Sequence, residues 1–165
     1  MSELGANLAI LLARELAAFE RELALFPDDE TLWKTLPGMA NAPGNFALHV
    51  AGNLQHFVGA VLGGTGYVRN REREFGRRSG TRSEVAEELQ AAARAVRETL
   101  PGLSEERLAA LFPEKLNGLD IRTDRFLMHL CAHAGYHLGQ ASTLRRILTG
   151  HDRSSGPVPL AALVD

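Results

Sequence analysis

Leu4, Leu8, Leu12, Leu16, Phe19, Leu23 and Phe26 recur at three- and four-residue steps along the first stretch of the chain. At roughly 100° per residue, that spacing gathers them onto one stripe of an α-helix running from Ser2 or Glu3 to Leu25. Such a helix is soluble only if its stripe is covered by another element. No segment of the chain shows the two-residue alternation of a half-buried strand, so the covering elements must also be helices.

Punctuation residues divide the rest. Pro27-Asp28-Asp29 ends the first helix, and Asp28 or Asp29 is placed to cap a short turn holding Leu32 and Trp33. A loop from Pro37 to Gly44 precedes a second helix, Phe46 to Leu62, with Asn45 as its cap and the Gly63-Gly64-Thr65-Gly66 run as its stop. Residues Tyr67 to Arg82 read as a charged, aperiodic connection. Ser83 opens a third helix whose Val85, Leu89, Ala92, Ala93, Val96 and Leu100 point inward, ended by Pro101-Gly102. A short helix follows Ser104, then a turn at Asn117-Gly118 and an extended piece at Asp120-Ile121-Arg122. Thr123 or Asp124 caps a last long helix reaching Leu148 before Gly150. The expected architecture is all-α: an up-down four-helix bundle with short extra helices, one domain over residues 1–150, and a tail at 151–165 whose Leu160–Val164 stretch can dock.

Composition excludes several classes. A formal charge of −2 over 165 residues gives no support to a general nucleic-acid binder, and no run approaches the roughly 20 apolar residues of a membrane span. A single cysteine, Cys131, rules out an intramolecular disulfide, and the first residues lack the order of a signal peptide. A cytoplasmic protein with no nucleic-acid or membrane partner is expected.

Five of the six histidines fall inside predicted helices. His133 and His137 are four residues apart, so they leave one helix face about 40° apart and about 6 Å along the axis. Two imidazoles at that spacing can reach one ion through metal–nitrogen bonds of about 2.0–2.1 Å, with a third ligand coming from another helix. His49 is the natural third. His129 has the same spacing to His133, however, and His56 lies two turns after His49, so spacing leaves the set open.

The segment Asn45 to Gly64, carrying His49, resembles the second helix of the DinB-like superfamily. The segment His129-Leu-Cys-Ala-His133-Ala-Gly-Tyr-His137-Leu-Gly-Gln140 resembles that family's last-helix signature, and Trp33 lies where relatives often have a tryptophan. The resemblance implies a four-helix bundle with a three-histidine site for a divalent metal, nickel or zinc, on His49, His133 and His137. His129 then becomes a structural or supporting residue. The sequence departs from many relatives at Ala132, where a polar residue often precedes the first last-helix ligand.

Three neutral imidazoles leave a coordination position open for water or substrate, the pattern of a catalytic site. The expected function is a metal-dependent enzyme on small molecules. By resemblance it is a transferase or hydrolase that can use a low-molecular-weight thiol, working as a homodimer. The alternative is a non-catalytic, metal-binding stress-response bundle. The zincin order His-Glu-x-x-His is absent, because Ala134 and Gly135 follow His133. Asn53, Gln140 and, less directly, Tyr136 are placed to orient ligands or substrate. Two further expectations concern the surroundings. Gly135 and Gly139, like Gly59 and Gly63, each cost a helix roughly 1 kcal/mol, which close approach of the second and last helices would offset. The arginines of residues 67–82 read either as an anion-binding flap or as a solvated loop of self-paired charges, and the loop is favoured; Cys131 reads as an inert small hydrophobe.

Overall fold

The structure, a computed structural model, describes residues 2–153, 155 and 159–164. It is helical: α1 (Glu3–Leu23), α2 (Pro43–Leu54, continued as a π-helix over Gln55–Leu62), α3 (Arg71–Gly76), α4 (Arg82–Thr99), α5 (Glu105–Ala109) and α6 (Thr123–Thr149). Among the described residues only two isolated β-bridges occur, Leu111 with Arg122 and Leu116 with Leu119. The second closes a tight turn at Asn117-Gly118, where both residues have positive φ (52° and 82°), the backbone such two-residue turns require.

The four long helices close a ring in the order α1, α4, α2, α6. Their directions follow from which ends meet. Glu22, near the end of α1, holds Arg145, near the end of α6, so these two run the same way. The start of α1 at Gly5 lies against Leu100, just past the end of α4, which sets that pair antiparallel. Gln55 reaches Glu88, and Gly59 and Gly63 lie against Ala95 and Thr99, so α2 and α4 run in parallel. Phe46 stacks on His137 while Phe57 meets Phe126, so α2 and α6 are antiparallel. The sense is therefore up, down, down, up, which corrects the plain up-down order expected from the sequence. The stretch between Leu62 and Arg82 makes this possible: it is long enough, at up to about 3.5 Å per extended residue, to return the chain along the bundle.

Several boundaries also shift. The supposed aperiodic connection contains α3, capped by Asn70, whose side chain accepts from Arg73 N at 2.8 Å. Helix α4 starts before Ser83, with Thr81 and Glu84 bonding each other's backbone amides in a capping box. Asn45 is not the cap of α2. It sits three residues inside, and its Oδ1 accepts from Ala42 N at 3.0 Å. Asp28 does cap the turn at Thr31–Trp33, accepting from Thr31 N at 2.7 Å. Arg122, not Thr123 or Asp124, occupies the cap position of α6, with no side-chain cap bond, and Gly150 ends that helix at φ 65°.

The apolar stripe of α1 packs into the core as expected, with Leu12, Leu16 and Phe19 fully buried beside Leu54, Leu89, Leu100 and Leu127. Part of the expected Ser/Gly/Pro tail lies outside the described residues. Its Leu160–Leu163 turn lies against α1, with Leu160 and Val164 exposed. No helix among the described residues is long and apolar enough to cross a membrane.

Candidate metal centre

Antiparallel packing sets two stripes face to face: Phe46, His49, Asn53 and Phe57 on α2 against His137, His133 and Phe126 on α6. Three histidines meet where the stripes cross. His133 Nε2 lies 3.3 Å from His49 Nε2 and 3.1 Å from His137 Nε2, and one nitrogen from each ring falls within 4.8 Å of the others. Ligands at about 2.0–2.1 Å from one ion sit roughly 3.0–3.4 Å apart, so the spacing suits shared coordination.

Hydrogen-bond partners assign the ring protons. His49 Nδ1 lies 2.9 Å from Glu74 Oε2 and 3.2 Å from Arg69 Nη2; that guanidinium nitrogen already donates to the carboxylate at 2.7 Å, so the shorter contact places the proton on Nδ1 and a lone pair on Nε2. His137 Nδ1 donates to Gln140 Oε1 at 2.8 Å, leaving its Nε2 likewise a lone pair. Both lone pairs aim at His133 Nε2. A proton on that nitrogen can satisfy only one of them, with the Asn53 amide 3.4 Å from the other, whereas a cation can take both together with the lone pair of His133 Nε2, the His133 proton then sitting on Nδ1. The donor set therefore fits a divalent metal, and these histidines can hold one. Burial first, then the charges of His137, His49, His129 and Arg69, pushes His133 down from 6.5 to about 4. Burial also lowers His137, against the opposing hydrogen bond to Gln140. Both rings are thus neutral near pH 7, the form that binds metal.

Sequence reasoning missed Glu74. It is buried, 4% exposed, and comes from α3, the helix hidden in the charged connection. Burial alone would raise its carboxyl, but hydrogen bonds and charge from Arg69 and His49 outweigh that and hold it below the usual range. Arg69 grips it with two bonds of 2.7 Å and donates a third, also 2.7 Å, to Asn53 Oδ1. Asn53 in turn points Nδ2 at His49 Nε2 and His133 Nδ1, each 3.4 Å away. Position is enforced by α2 itself. Asn45 Nδ2 donates to the carbonyls of Glu74 and Arg77, and Gly52 leaves the space the Glu74 carboxylate occupies, since a Cβ there would overlap it. Trp33 secures the far end of the segment, donating to Gly80 O at 2.7 Å with Arg77 over its ring. The available sequence signal was the pairing of Asn45 and Gly52 with a charged segment, which no spacing rule connects.

The remaining expected residues divide. Gln140 contacts His137 directly, and Tyr136 packs its ring edge-on against His137 at 5.2 Å while its hydroxyl accepts from Gln140 Nε2 at 3.2 Å. His129 is exposed, stacked over Phe126, and outside the three-histidine group. His56 pairs with Glu114 at 3.2 Å, away from the centre. The glycine expectation is corrected. A Cβ on Gly135 or Gly139 would meet nothing, while Gly59 and Gly63 admit α4 through Ala95 and Thr99 rather than α6. The π-helical stretch that carries Gly59 and is capped by Gly63 begins two residues after Asn53. The arginine segment is paired rather than self-paired: only Arg69–Glu74 lies within it, while Arg73–Glu88, Arg77–Glu84 and Arg82–Asp29 tie it to neighbouring elements. It is not merely solvated, because Arg69 and Glu74 reach the centre. Cys131 is half-buried and its thiol is pushed up to about 11, first by burial and then by Glu15, so it is a poor nucleophile.

Beside the centre opens a cleft of about 610 Å³, which His133, Asn53 and Arg69 reach from one side and Phe57, Phe126, Leu130 and Leu119 floor. A helical bundle with a three-histidine centre of this kind, bordered by a ligand-sized cleft, defines a class of candidate metalloproteins. The model of the DinB superfamily matches residues 11–141, and the chain belongs to that superfamily. A solved structure, a DinB-like protein from Bacillus cereus ATCC 10987, superposes with a TM-score of 0.59 at 18% identity. The match covers 82% of this chain and 86% of the other, and it shows the shared fold. No curated protein matches in sequence.

Proposed function

We propose that the protein is a divalent-metal-dependent enzyme acting on small molecules, with transfer or hydrolysis involving a thiol as its reaction class. The observation that carries this reading is the convergence of imidazole lone pairs at the edge of a cleft large enough for a metabolite. His49, His133 and His137 would hold the ion, with nickel or zinc the proposed metals because imidazole suits both. Such an ion supplies Lewis acidity and favours the deprotonated form of a bound thiol or water. The chain's own residues do the rest. Glu74 and Gln140 keep the outer nitrogens of His49 and His137 protonated, so the inner ones stay basic. Asn53, held by Arg69, lies against both rings, and the apolar floor of the cleft excludes water from bound substrate. The proposal includes a homodimer in the cytoplasm, following related bundles.

The rival reading, a non-catalytic bundle whose ion clamps helices together, draws support from the way α2, α3 and α6 all meet at the centre. Cobalt-substituted protein separates them. An open catalytic site gives a new thiolate-to-metal absorption band when a low-molecular-weight thiol is added, and chelation lowers the melting temperature only modestly. A closed clamp gives no band and a large fall in melting temperature on chelation.

A further inference from the structure

The cleft beside His133 has a marked charge asymmetry. Arg69, Arg71, Lys115 and Arg125 line it against a single carboxylate, Glu114. Arg69 is committed to Glu74, Lys115 pairs with Asp120 at 3.1 Å, and Glu114 pairs with His56. Arg71 and Arg125 form no ion pair among the described residues. Arg71 lies over the Phe75 ring at 5.0 Å, a contact that holds the guanidinium without using up its donors. Phe57 and Phe126, packed edge to face at 5.0 Å, line the same cleft with Leu130 and Ile121 as its apolar part, and Arg69 sits 5.7 Å from the Phe57 ring centroid.

We propose that this cleft binds a small organic anion with an apolar body. The body lies on Phe57, Phe126 and Leu130, and Arg71 and Arg125 hold the anionic group. The chemistry follows from the lining. Planar guanidinium groups match a carboxylate in charge and donor geometry, and a partly desolvated aromatic floor rewards a flat or branched apolar body. The volume falls within the range of roughly 300–1,000 Å³ usual for metabolite sites. This deepens the enzymatic reading by naming the substrate class of the same site, yet the two cations belong to α3 and α6 positions outside the three-histidine group, so the two ideas fail separately.

Phenylacetate, phenylacetamide and acetate, titrated calorimetrically into metal-free and zinc-loaded protein, provide the test. Phenylacetate should bind both forms saturably, with the neutral amide and the body-less acetate each at least about tenfold weaker. The double variant Arg71→Gln/Arg125→Gln, whose side chains are exposed and whose melting temperature should match wild type, should weaken phenylacetate by about tenfold or more. His137→Ala should keep that arginine-dependent binding while losing zinc. Equal affinity for acid and amide in metal-free protein, indifference to the double substitution, or no saturable binding of phenylacetate would each overturn the anion site. Any of these alongside intact zinc binding would leave the metal reading standing, and lost zinc binding with intact phenylacetate binding would do the reverse.

Discussion

His49 donates from Nδ1 to the Glu74 carboxylate at 2.9 Å, across the buried junction of α2 and α3. The bond fixes which nitrogen of His49 faces its neighbours and raises the basicity of that nitrogen. Glu74→Gln should therefore weaken zinc binding by about 10–100-fold, measured by chelator competition. An unchanged affinity would show that the carboxylate only balances Arg69.

Gly52 makes the same point through space. Gly52→Ala places a methyl group where the Glu74 carboxylate now sits, so it should displace that side chain and reproduce the loss of zinc affinity seen with Glu74→Gln. Gly135→Ala, where a Cβ meets nothing, should leave zinc affinity unchanged and raise stability by up to about 1 kcal/mol, checked by thermal melts.

Acid should destabilise the metal-free fold. The His133 ring titrates at about 4 when folded and at 6.5 in its ordinary state, so the unfolded chain binds the proton first as pH falls. Stability should be level above pH 6.5 and decline as pH drops from 6.5 toward 4, with His137 adding in the same direction. Urea denaturation at a series of pH values measures this, and His133→Gln should flatten the slope.

Arg145 and Glu22 form an ion pair in which each side chain is 1% exposed. Arg145 also donates to the carbonyl of Arg153, and Glu22 accepts from Ser155 N at 3.3 Å, so the pair ties the start of the tail to the bundle. Arg145→Met should cost about 3–5 kcal/mol by stranding a buried carboxylate, and adding Glu22→Leu should recover most of it, because two apolar side chains need no partner. Urea midpoints of the single and double variants decide this.

How much was legible in the sequence differs between fold and site. The stripe from Leu4 to Phe26, the glycine run after Leu62 and Gly150 mark their helices well, because burial and helix termination leave local periodic signals. Helix direction was not legible: the parallel run of α2 and α4 depends on contacts such as Gly59 with Ala95 that no local pattern encodes. That neighbours among His129, His133 and His137 share one face was readable from helical geometry, but choosing His133 with His137 over His129, and His49 over His56, needed a family resemblance, since nothing local separates them. Glu74 escaped because it lies on a helix of six residues among like-looking charges. Its role comes from what Asn45, Gly52 and Arg69 do to it in three dimensions. Gly135 and Gly139 misled for the same reason, as a small residue signals room without saying which neighbour uses it.

The central claim is that three imidazoles from α2 and α6 together hold one ion. Elemental analysis of protein loaded with zinc and freed of excess tests it most directly. Wild type, His56→Ala and His129→Ala should retain one ion per chain, while His49→Ala, His133→Ala and His137→Ala should each retain almost none. An empty wild type, or a His129→Ala variant as depleted as His137→Ala, would contradict the account.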